Sequence, residues 1–363
     1  MKIAIDISQI VYGTGVSYYT KNLVSKLIEL DNDNRYVIFG GSLRRFNELK
    51  KEASNICENY ENRSLVKIYP FPPNLADFVW NNLHILPIEN LIGRVDVFHS
   101  SDWSQPPSKA FKITTIHDLV PILYPKISDP KLVAVHKRRL SIVAKEIDRI
   151  IVPSVTTVND LVQIGFNEKT IRLIPEAPNS IFKSLKPEVI EPVKRKYKIL
   201  GKYMLTIGTA PRKNLSRIIA AYERIKPDMD IKLVVVGEKS SSFEAGRGVI
   251  FLGRVPTHDL PALFSGSTLL VYPSLYEGFG LPILEAYASR TPVVTSNIGS
   301  MKEVAGDASE LVDPYSVDSI TKGILNAISN KKELIKRGRD VSRKYSWDKT
   351  AHMTLEVYEE SKF

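Results

Sequence analysis

Short apolar stretches rich in β-branched residues alternate with longer amphipathic stretches along almost the whole chain. This alternation indicates repeated β–α units, which assemble into a parallel sheet covered by helices. Apolar residues at helical spacing predict helices at residues 17–30 and 130–146, the second with a basic opposite face. The strands predicted in the first half are residues 2–7, 36–39, 95–98, 113–116 and 149–152.

A second α/β series follows a stretch that lacks a strong strand pattern. Residues 178–201 contain three prolines and six lysines or arginines, which is typical of a connector between domains. Beyond it, helices are predicted at residues 214–225 and 316–329. The strands predicted there are residues 203–207, 232–236, 249–251, 269–272, 292–295 and 310–312.

These patterns predict two doubly wound α/β domains and a terminal helix. We assign an N-terminal domain to residues 1–177, a connector to 178–200, a C-terminal domain to 201–345 and a terminal helix to 346–363. The helix is expected to pack back across both domains. Tandem domains of this kind would place a cleft between the carboxyl ends of their strands, where such sheets bind ligands.

Composition narrows the class of protein without identifying it. The 363 residues include 50 Lys and Arg against 40 Asp and Glu, so a net charge of +10 leaves nucleic acid, an anionic membrane or a phosphorylated small molecule as partners. One cysteine, Cys57, excludes an intramolecular disulfide and favours a reducing compartment. Asp6 interrupts the first apolar run, which we therefore interpret as a strand and not a secretory signal. The longest uncharged stretch, residues 260–276, contains two prolines and a glycine, so no membrane-spanning helix is predicted.

The most informative motif places two glutamates around a glycine-containing loop. The sequence Y-E-G-F-G-L-P-I-L-E-A starts at residue 276, shortly after a predicted strand, and Pro282 suits the first position of a helix. The backbone amides of Gly278, Phe279 and Gly280, together with the helix N-terminus, are expected to form an anion site. Glu277 and Glu285 would repel a phosphate, so hydroxyl groups, as on a sugar and a ribose, are better partners. The alternative interpretation is an ordinary turn with two surface acids.

Two cations follow the first strand of the second series. Gly208 opens the loop G-T-A-P-R-K-N, in which Arg212 and Lys213 precede a predicted helix. A bidentate guanidinium and a point ammonium bind a diphosphate well. Such a pair is also common in a solvated loop, but its place at the carboxyl end of a strand favours a binding role.

The first half contributes a glycine-containing turn between the first strand and its helix. Gly15 lies in the sequence Y-G-T-G-V-S. A dinucleotide-binding turn would have a third glycine where Tyr18 stands and a ribose-binding acid after the second strand, which instead ends in G-G-S. A bound dinucleotide cofactor is therefore not expected.

Two histidines follow predicted strands in the same half. His117 and Asp118 end the strand at 113–116, and His99 and Asp102 follow the strand at 95–98. A single histidine after a strand is usually structural. A place in the cleft is the alternative for each of them.

Together these motifs resemble the retaining glycosyltransferases of the GT-B fold, specifically the large family four. The resemblance rests on the E-x7-E spacing of Glu277 and Glu285, on the G-T-A-P-R-K-N loop, which is one residue shorter here, and on F-L-G-R-V from residue 251. The start of the terminal helix, Y-S-W-D-K-T-A, is similar to the family's crossover helix. The resemblance implies two Rossmann-like domains that face each other across a cleft, with the C-terminal helix crossing back.

The resemblance also implies a role for each motif toward a nucleotide-diphosphate sugar. Arg212 and Lys213 would neutralise the diphosphate, Glu277 would orient sugar hydroxyls, and Glu285 would hold the ribose. His117 would contact the sugar from the other domain. The implied catalytic residues are His117, Arg212, Lys213 and Glu277. The implied donor-binding residues are Gly15, Gly208, Arg212, Lys213, Gly253, Val255, Glu277, Gly278, Phe279, Gly280, Leu281 and Glu285.

The implied reaction is transfer of a hexose to an acceptor hydroxyl with retention at the anomeric carbon, without a metal and with no cofactor besides the donor. The P-R-K-N form resembles mannosyltransferases, so GDP-mannose is the first donor expected, with UDP- or dTDP-sugars behind it. The implied acceptor is a saccharide or lipid-linked saccharide of a cell-envelope polysaccharide. The alternatives are a nucleotide-sugar epimerase or hydrolase of the same fold and, from another class, a basic nucleic-acid-binding protein, although no recognition module is evident.

Other charged stretches have ordinary interpretations. The D-x-D sequences at residues 31–33 and 228–230 mimic a metal motif but lie between a helix end and a strand start, so we interpret them as helix-stop loops. The basic stretches at 137–139 and 331–344 fit either solvated helix faces or contact with an anionic membrane. Since a reducing compartment is favoured and neither a secretory signal nor a membrane-spanning helix is predicted, we expect a cytoplasmic protein. Contact with the inner face of the membrane is left open.

Overall fold

The computed structural model describes residues 1–239 and 246–362, and in it the chain divides into two compact units. The first unit comprises Met1–Glu176 and Trp347–Phe363, and the second comprises Ala177–Ser346. Phe363, the last residue of the predicted terminal helix, lies outside the described residues. Each unit is a parallel sheet covered by helices, so the predicted α/β class is confirmed.

The first unit contains a seven-stranded parallel sheet in the order β3-β2-β1-β4-β5-β6-β7. Its strands are β1 Lys2–Asp6, β2 Arg35–Gly41, β3 Ser64–Tyr69, β4 Val97–Ser100, β5 Phe111–Thr115, β6 Arg149–Val152 and β7 Ile171–Leu173. The order of the strands reverses between β1 and β4. The loops that leave these two strands at their carboxyl ends therefore flank a crevice of the kind that binds ligands in doubly wound sheets.

The helices of the first unit cover both faces of this sheet. They are α1 Gly15–Leu30, α2 Phe46–Cys57, α3 Pro73–Ala76, α4 Glu89–Ile92, α5 Val120–Leu123, α6 Pro130–Glu146 and α7 Val155–Gln163. A π-helical turn, Asp77–Asn82, continues α3. Short 3-10 turns lie at Ile10–Tyr12, Pro125–Ile127 and Glu168–Thr170.

The predicted strands of this unit are all present, with ends that shift by at most two residues. Two further strands, β3 and β7, were not predicted from the sequence. The edge strand β3 is only partly buried along its length, so its sequence lacks a continuous apolar run. The other, β7, has three residues, which is too short to show a period.

The second unit contains a six-stranded parallel sheet in the order β10-β9-β8-β11-β12-β13, which reverses between β8 and β11. Its strands are β8 Lys202–Ile207, β9 Ile231–Val236, β10 Val249–Phe251, β11 Leu269–Tyr272, β12 Val293–Ser296 and β13 Glu310–Val312. Its helices are α8 Pro187–Lys196, α9 Leu215–Ile225, α10 Leu260–Gly266, α11 Leu281–Ala288, α12 Gly299–Ala305, α13 Val317–Ser329 and α14 Lys331–Ser342. Short 3-10 turns lie at Pro211–Lys213 and Thr257–Asp259.

The stretch 178–200, interpreted from its sequence as a connector, lies within the second unit and forms helix α8. Ile190 is buried, and its side chain packs so closely on α10 that a Cβ at Gly266 would lie 2.6 Å from it. Pro187 starts the helix and Pro192 lies inside it. These prolines obscured the helical spacing of the apolar residues in the sequence.

The C-terminal helix α15, Trp347–Glu359, returns to the first unit and packs against α1. Thr350 donates a hydrogen bond to the carbonyl of Pro175 (2.8 Å). The 3-10 turn Glu360–Lys362 follows, and Glu360 pairs with Arg149 and Arg172. The predicted return of the terminal helix is therefore confirmed for the first unit.

Candidate active site

The loop after β8 carries the two predicted cations. Gly208 has φ +92°, and a Cβ there would lie 3.0 Å from the aliphatic stem of Lys213. Glycine is therefore required both by the backbone and by the close approach of this side chain. The 3-10 turn Pro211–Lys213 then places Arg212 and Lys213 directly before α9.

Asn214 ties this loop to the loop after β11. Its side-chain amide donates to the carbonyls of Pro273 (3.0 Å) and Pro314 (2.7 Å). The backbone N–H of Leu275 donates to the carbonyl of Arg212 (2.8 Å). Since β8 and β11 are the two strands at which the sheet order reverses, these bonds assemble the site at the switch point of the second unit.

Glu277 lies between the two cations. Its carboxylate forms an ion pair with Arg212 and a second ion pair with Lys213, whose ammonium nitrogen lies 2.6 Å from it. Arg212 also donates to the carbonyl of Tyr276 (3.2 Å). Lys213 donates to the hydroxyl of Tyr272 and lies 4.7 Å from the centre of its ring. The structure therefore brings Arg212, Lys213 and Glu277 together, as the motifs predicted.

The electrostatics of this cluster favour an anionic ligand. Burial alone would raise the pKa of Glu277, but the charges of Lys213 and Arg212 outweigh it and hold that pKa below its usual value of 4.5. Two cations and one carboxylate leave a net positive charge. A diphosphate brought to this place would gain charge-assisted hydrogen bonds.

The glycine loop leads directly into α11. Gly280 has φ +106° and is the N-cap residue, and Leu281 begins the helix. Because the left-handed Gly280 ends the loop, Leu281 takes the first helical position and Pro282 the second. The prediction that Pro282 occupies the first position was therefore wrong by one residue. Phe279 is buried in the core, and Gly278 lies between it and Glu277. The loop amides therefore stand at a helix N-terminus beside two cations.

Glu285 lies on α11, one turn into the helix, and its environment is opposite to that of Glu277. Burial raises the pKa of Glu285 to about 8, and the charge of Lys213 offsets this only in part. Within residues 1–239 and 246–362 its carboxyl has no hydrogen-bond partner. The residue as a whole is partly exposed, at the start of a helix that follows the glycine loop.

The loop after β10 lies beside the end of β9. Gly253 has φ +65°, and its carbonyl accepts from the N–H of Gly237 (3.0 Å). The side chain of Val255 is 9% exposed and belongs to the hydrophobic core. The predicted donor-binding role of Gly253 and Val255 can thus involve little beyond their backbone.

In the first unit, His117 is held by a glutamate that the sequence did not reveal. Its Nδ1 lies 2.8 Å from the carboxylate of Glu176, and the ring of Tyr19 packs edge-on at 4.5 Å. Burial would lower the pKa of His117, but the hydrogen bond and charge of Glu176, with smaller effects of Asp102 and Asp118, raise it above 6.5. His117 is therefore biased toward its protonated form.

Gly15 is the first residue of α1, after the N-cap Thr14. Thr14 and Ser17 form a capping box. A Cβ at Gly15 would meet no atom within 4 Å, so packing within the protein does not require glycine at this position.

His99 and Asp102 line a small cavity together with His117, but both have packing partners. The ring of His99 bonds Thr115 (2.9 Å) and Tyr358 (2.8 Å), and burial lowers its pKa to about 3. Asp102 pairs with Arg139 at 3.4 Å. A neutral, fully bonded His99 fits the structural interpretation.

The D-x-D sequence at residues 31–33 and the basic stretch at 137–139 both lie within the first unit. Asp31 is the C-cap residue of α1: its backbone N–H donates to the carbonyl of Leu27, and its carboxylate accepts from the backbone of Asp33 (3.0 Å) and Asn34 (3.1 Å), as expected of a helix-stop loop. In the stretch 137–139, Lys137 is exposed, as expected of the solvated face of a packed amphipathic helix, whereas Arg139 is 1% exposed, bonds Thr114 and does not belong to that face. Among residues 1–239 and 246–362, no group of three His, Cys, Asp or Glu side chains is arranged to hold a metal ion.

Comparison with known proteins places the chain in a family. The sequence profile described as "Glycosyl transferases group 1" matches residues 194–343, and that described as "Glycosyltransferase Family 4" matches residues 13–177. The O-antigen chain mannosyltransferase B of Escherichia coli is 30% identical over 281 residues, which cover 72% of this chain and 74% of that protein. The chain belongs to the family 4 glycosyltransferases.

Solved structures share the fold of this glycosyltransferase. A glycosyltransferase from Rickettsia africae has a TM-score of 0.73 at 18% identity, covering 99% of this chain and 98% of that one. Anabaena Alr3699/HepE, solved in complex with UDP and glucose, has a TM-score of 0.69 at 15% identity, covering 100% of this chain and 99% of that one. The predicted GT-B fold is confirmed.

Sequence reasoning missed three residues of the two crevices. Tyr272 contacts Lys213, and its position at the end of a predicted strand was a usable signal. Ser300 donates to the carbonyl of Glu277 (2.7 Å) from α12, and Glu176 follows the undetected strand β7. Neither Ser300 nor Glu176 belongs to a motif that marks a site.

Proposed function

We propose that this glycosyltransferase transfers mannose from GDP-mannose to a hydroxyl of a saccharide or lipid-linked saccharide acceptor in the synthesis of an envelope polysaccharide. The observation that carries the proposal is the Arg212–Lys213–Glu277 cluster at the switch point of the second unit. The E. coli relative named an O-antigen chain mannosyltransferase supports mannose and polysaccharide. The neighbour solved with UDP and glucose supports a nucleotide sugar as donor.

The departing nucleotide diphosphate sets the main chemical demand. Negative charge grows on the phosphate oxygen as its bond to the sugar breaks, and fixed cations at that place stabilise it. Arg212 and Lys213 would exchange part of their contact with Glu277 for the phosphate oxygens. The N-terminus of α11 would add backbone amides to the same anion.

Glu277 is poorly suited to act as a base or nucleophile. A carboxylate that is paired with two cations and has a lowered pKa is a weak proton acceptor. We therefore propose that Glu277 orients sugar hydroxyls and that the leaving phosphate oxygen accepts the acceptor's proton. The acceptor oxygen then forms the new bond on the face from which the phosphate leaves, and the configuration is retained.

The remaining residues follow the family resemblance. Glu285, whose pKa is raised by burial, would bind the ribose hydroxyls, and the loop at Gly253 would pass the base. His117 and Gly15 of the first unit would act on the donor as the resemblance implies. No metal enters this scheme, because the two cations supply the charge that a metal otherwise provides.

A thermal-shift series tests the choice of donor. A ligand that binds only the folded state raises the melting temperature, so GDP-mannose should raise it more than UDP-glucose or dTDP-glucose does. A larger shift with either of those sugars would overturn the donor assignment. Binding to nucleic acid with no shift from any nucleotide sugar would overturn the proposed function.

Retention and independence from metal are tested on the product. With GDP-α-mannose and membranes as a source of acceptor, an α-linked product formed in the presence of EDTA is expected. A β-linked product would contradict retention. Complete loss of transfer in EDTA, restored by a divalent cation, would contradict the metal-independent scheme.

A further inference from the structure

The imidazole of His117 and the carboxylate of Glu176 meet in the interior of the first unit. Their side chains are 11% and 7% exposed, and Nδ1 lies 2.8 Å from the carboxylate. His117 follows β5, whereas Glu176 follows β7, on the other side of β6. A buried carboxylate is costly unless it is paired, so this contact fixes the positions of both side chains.

The ring of His117 is also held from the side of α1. The ring of Tyr19 packs edge-on against it, with centroids 4.5 Å apart and planes at 83°. Burial raises the pKa of Tyr19, so its hydroxyl stays neutral, and this hydroxyl lies 3.3 Å from that of Thr115. Trp347 of α15 packs edge-on against Tyr19 at 5.8 Å. The imidazole therefore has little freedom to rotate.

The contact with Glu176 distinguishes the two ring nitrogens of His117. An ionised carboxylate only accepts hydrogen bonds, so Nδ1 is the donor. In the part of the chain that the structure describes, no group bonds Nε2. His117 lines the small cavity together with Gln9 and Asp102. Nε2 is therefore the nitrogen left for a ligand, and it can donate only while the ring is protonated, because the neutral ring keeps its one proton on Nδ1.

The other charged groups around the ring do not replace this carboxylate. Asp118 is the next residue of the chain, and Asp102 lies on the loop after β4; both raise the pKa of the ring less than Glu176 does. Asp102 already pairs with Arg139 of α6 (3.4 Å). His99 of β4 is neutral, because burial lowers its pKa to about 3. The charge that stabilises the protonated ring is therefore mainly that of Glu176.

The C-terminal helix holds the segment that carries Glu176. Thr350 of α15 is 3% exposed, and its hydroxyl donates to the carbonyl of Pro175 (2.8 Å), the residue before Glu176. Trp347 of the same helix supports the ring of Tyr19. A segment from the far end of the chain therefore helps to set the position of the imidazole–carboxylate pair.

We infer that Glu176 is a positioning residue for the transfer reaction: its carboxylate, held by the C-terminal helix, orients His117 so that Nε2–H is presented to an oxygen of the donor. The inference rests on the proposed function, in which His117 meets the donor, and adds how the ring is oriented and charged for that contact. Glu176 acts through His117 and does not itself touch the substrate. Once the ring loses its proton, Nε2 can no longer donate, so transfer should decline as the pH rises through the pKa of His117.

The pH profile of transfer tests this role. Glu176→Gln should move the decline in kcat/KM to lower pH, because the lost charge favoured the protonated ring. At pH 7.5 the variant should transfer about tenfold more slowly, the loss expected for one hydrogen bond to a charged group, and at pH 5.5 the difference should be smaller. Glu176→Asp, which keeps the charge, should lie between. In the background of His117→Gln, whose amide N–H donates at every pH, Glu176→Gln should shift nothing further.

Two matched controls separate this role from general structural support. Glu89→Gln alters a partly buried glutamate elsewhere in the first unit, which accepts from Ser108 and Lys109, and should leave the pH profile unchanged. Thr350→Val should lower the rate of transfer severalfold. Thr354→Val removes a buried hydroxyl of α15 that donates to a carbonyl of its own helix, and it should transfer normally. Circular dichroism establishes that each variant is folded.

Nitrogen NMR of the free wild-type protein tests the orientation without donor or acceptor. The neutral ring of His117 should carry its proton on Nδ1, facing Glu176. A wild type that transfers no sugar at any pH would contradict the proposed function. Two results contradict only the inference: a neutral wild-type ring with its proton on Nε2, and a pH profile of Glu176→Gln that coincides with that of the wild type.

Discussion

The two units share a doubly wound parallel sheet but have different chemistry at the carboxyl ends of their strands. In the second unit, the reversal between β8 and β11 carries Arg212, Lys213 and Glu277, which are ionised. In the first unit, the corresponding reversal between β1 and β4 has a neutral His99 that is bonded on both ring nitrogens. The shared topology places a crevice in each unit, and the loop residues decide what each crevice does.

The fate of an arginine illustrates this difference. Arg212 lies on a loop, is partly accessible and contacts the carboxylate of Glu277. Arg139 lies on a helix, is almost completely buried and bonds Thr114 and Asp102. In the proposed function the first would offer its charge to a diphosphate, whereas the second serves the packing of its own unit.

The largest expected effect comes from removing the charge of Glu277. Glu277→Gln should lower the rate of transfer from the donor by about 100-fold or more, since loss of one preorganised polar group costs that much in comparable sites. Single-turnover measurement of GDP release gives the rate. Glu333→Gln, at an exposed glutamate of α14 in the same unit, is the matched control and should transfer normally. Equal rates of transfer in the two variants would show that Glu277 takes no part in the reaction.

The second prediction concerns the histidines of the first unit. His117 should titrate above 6.5 in NMR spectra, whereas His99 should not titrate near neutral pH because its pKa is about 3. Glu176→Gln removes the hydrogen-bonded charge and should lower the pKa of His117.

The direction in which the stability changes with pH follows from the raised pKa of His117. The stability contributed by the His117–Glu176 pair is fully present below pH 6.5 and is lost as the pH rises through the folded-state pKa. Glu176→Gln should therefore be most destabilising in acid. An unchanged titration of His117 in that variant would show that Glu176 does not set its charge.

The smallest expected effect concerns Glu285. Its folded-state pKa of about 8 lies above the unfolded value near 4.5, so the associated stability is fully present below pH 4.5 and is lost as the pH rises toward 8. Glu285→Gln removes this loss, and its melting temperature should exceed that of the wild type by an amount that grows from pH 5 to pH 8. A constant difference across that range would mean that Glu285 is not held neutral.

Sequence reasoning succeeded where a motif and a strand end coincide. Arg212 and Lys213 follow a long buried strand, and Glu277 follows the loop of another, so the side chains converge as parallel topology requires. It failed where a site residue follows a strand that is too short to be predicted. Glu176 follows a strand of three residues, and no local pattern connects it with His117, which lies 59 residues earlier.

The direction in which a side chain points could also not be predicted from the sequence pattern. The basic stretch at 137–139 fits a solvated face, yet Arg139 points into the unit, where Asp102 compensates its charge and Thr114 accepts a hydrogen bond from it. Four apolar side chains among residues 75–85, a stretch for which no element was predicted, are exposed. Both depend on contacts between elements distant in the chain.

Calorimetric titration with GDP-mannose tests the central claim most directly. The wild type should bind, and Arg212→Ala/Lys213→Ala should bind about 100-fold more weakly, because two charge-assisted contacts to the diphosphate are lost. Arg224→Ala/Lys226→Ala removes the same charges from the end of α9 and should bind like the wild type. If both double variants bind GDP-mannose equally well, the cluster at the switch point is not the diphosphate site.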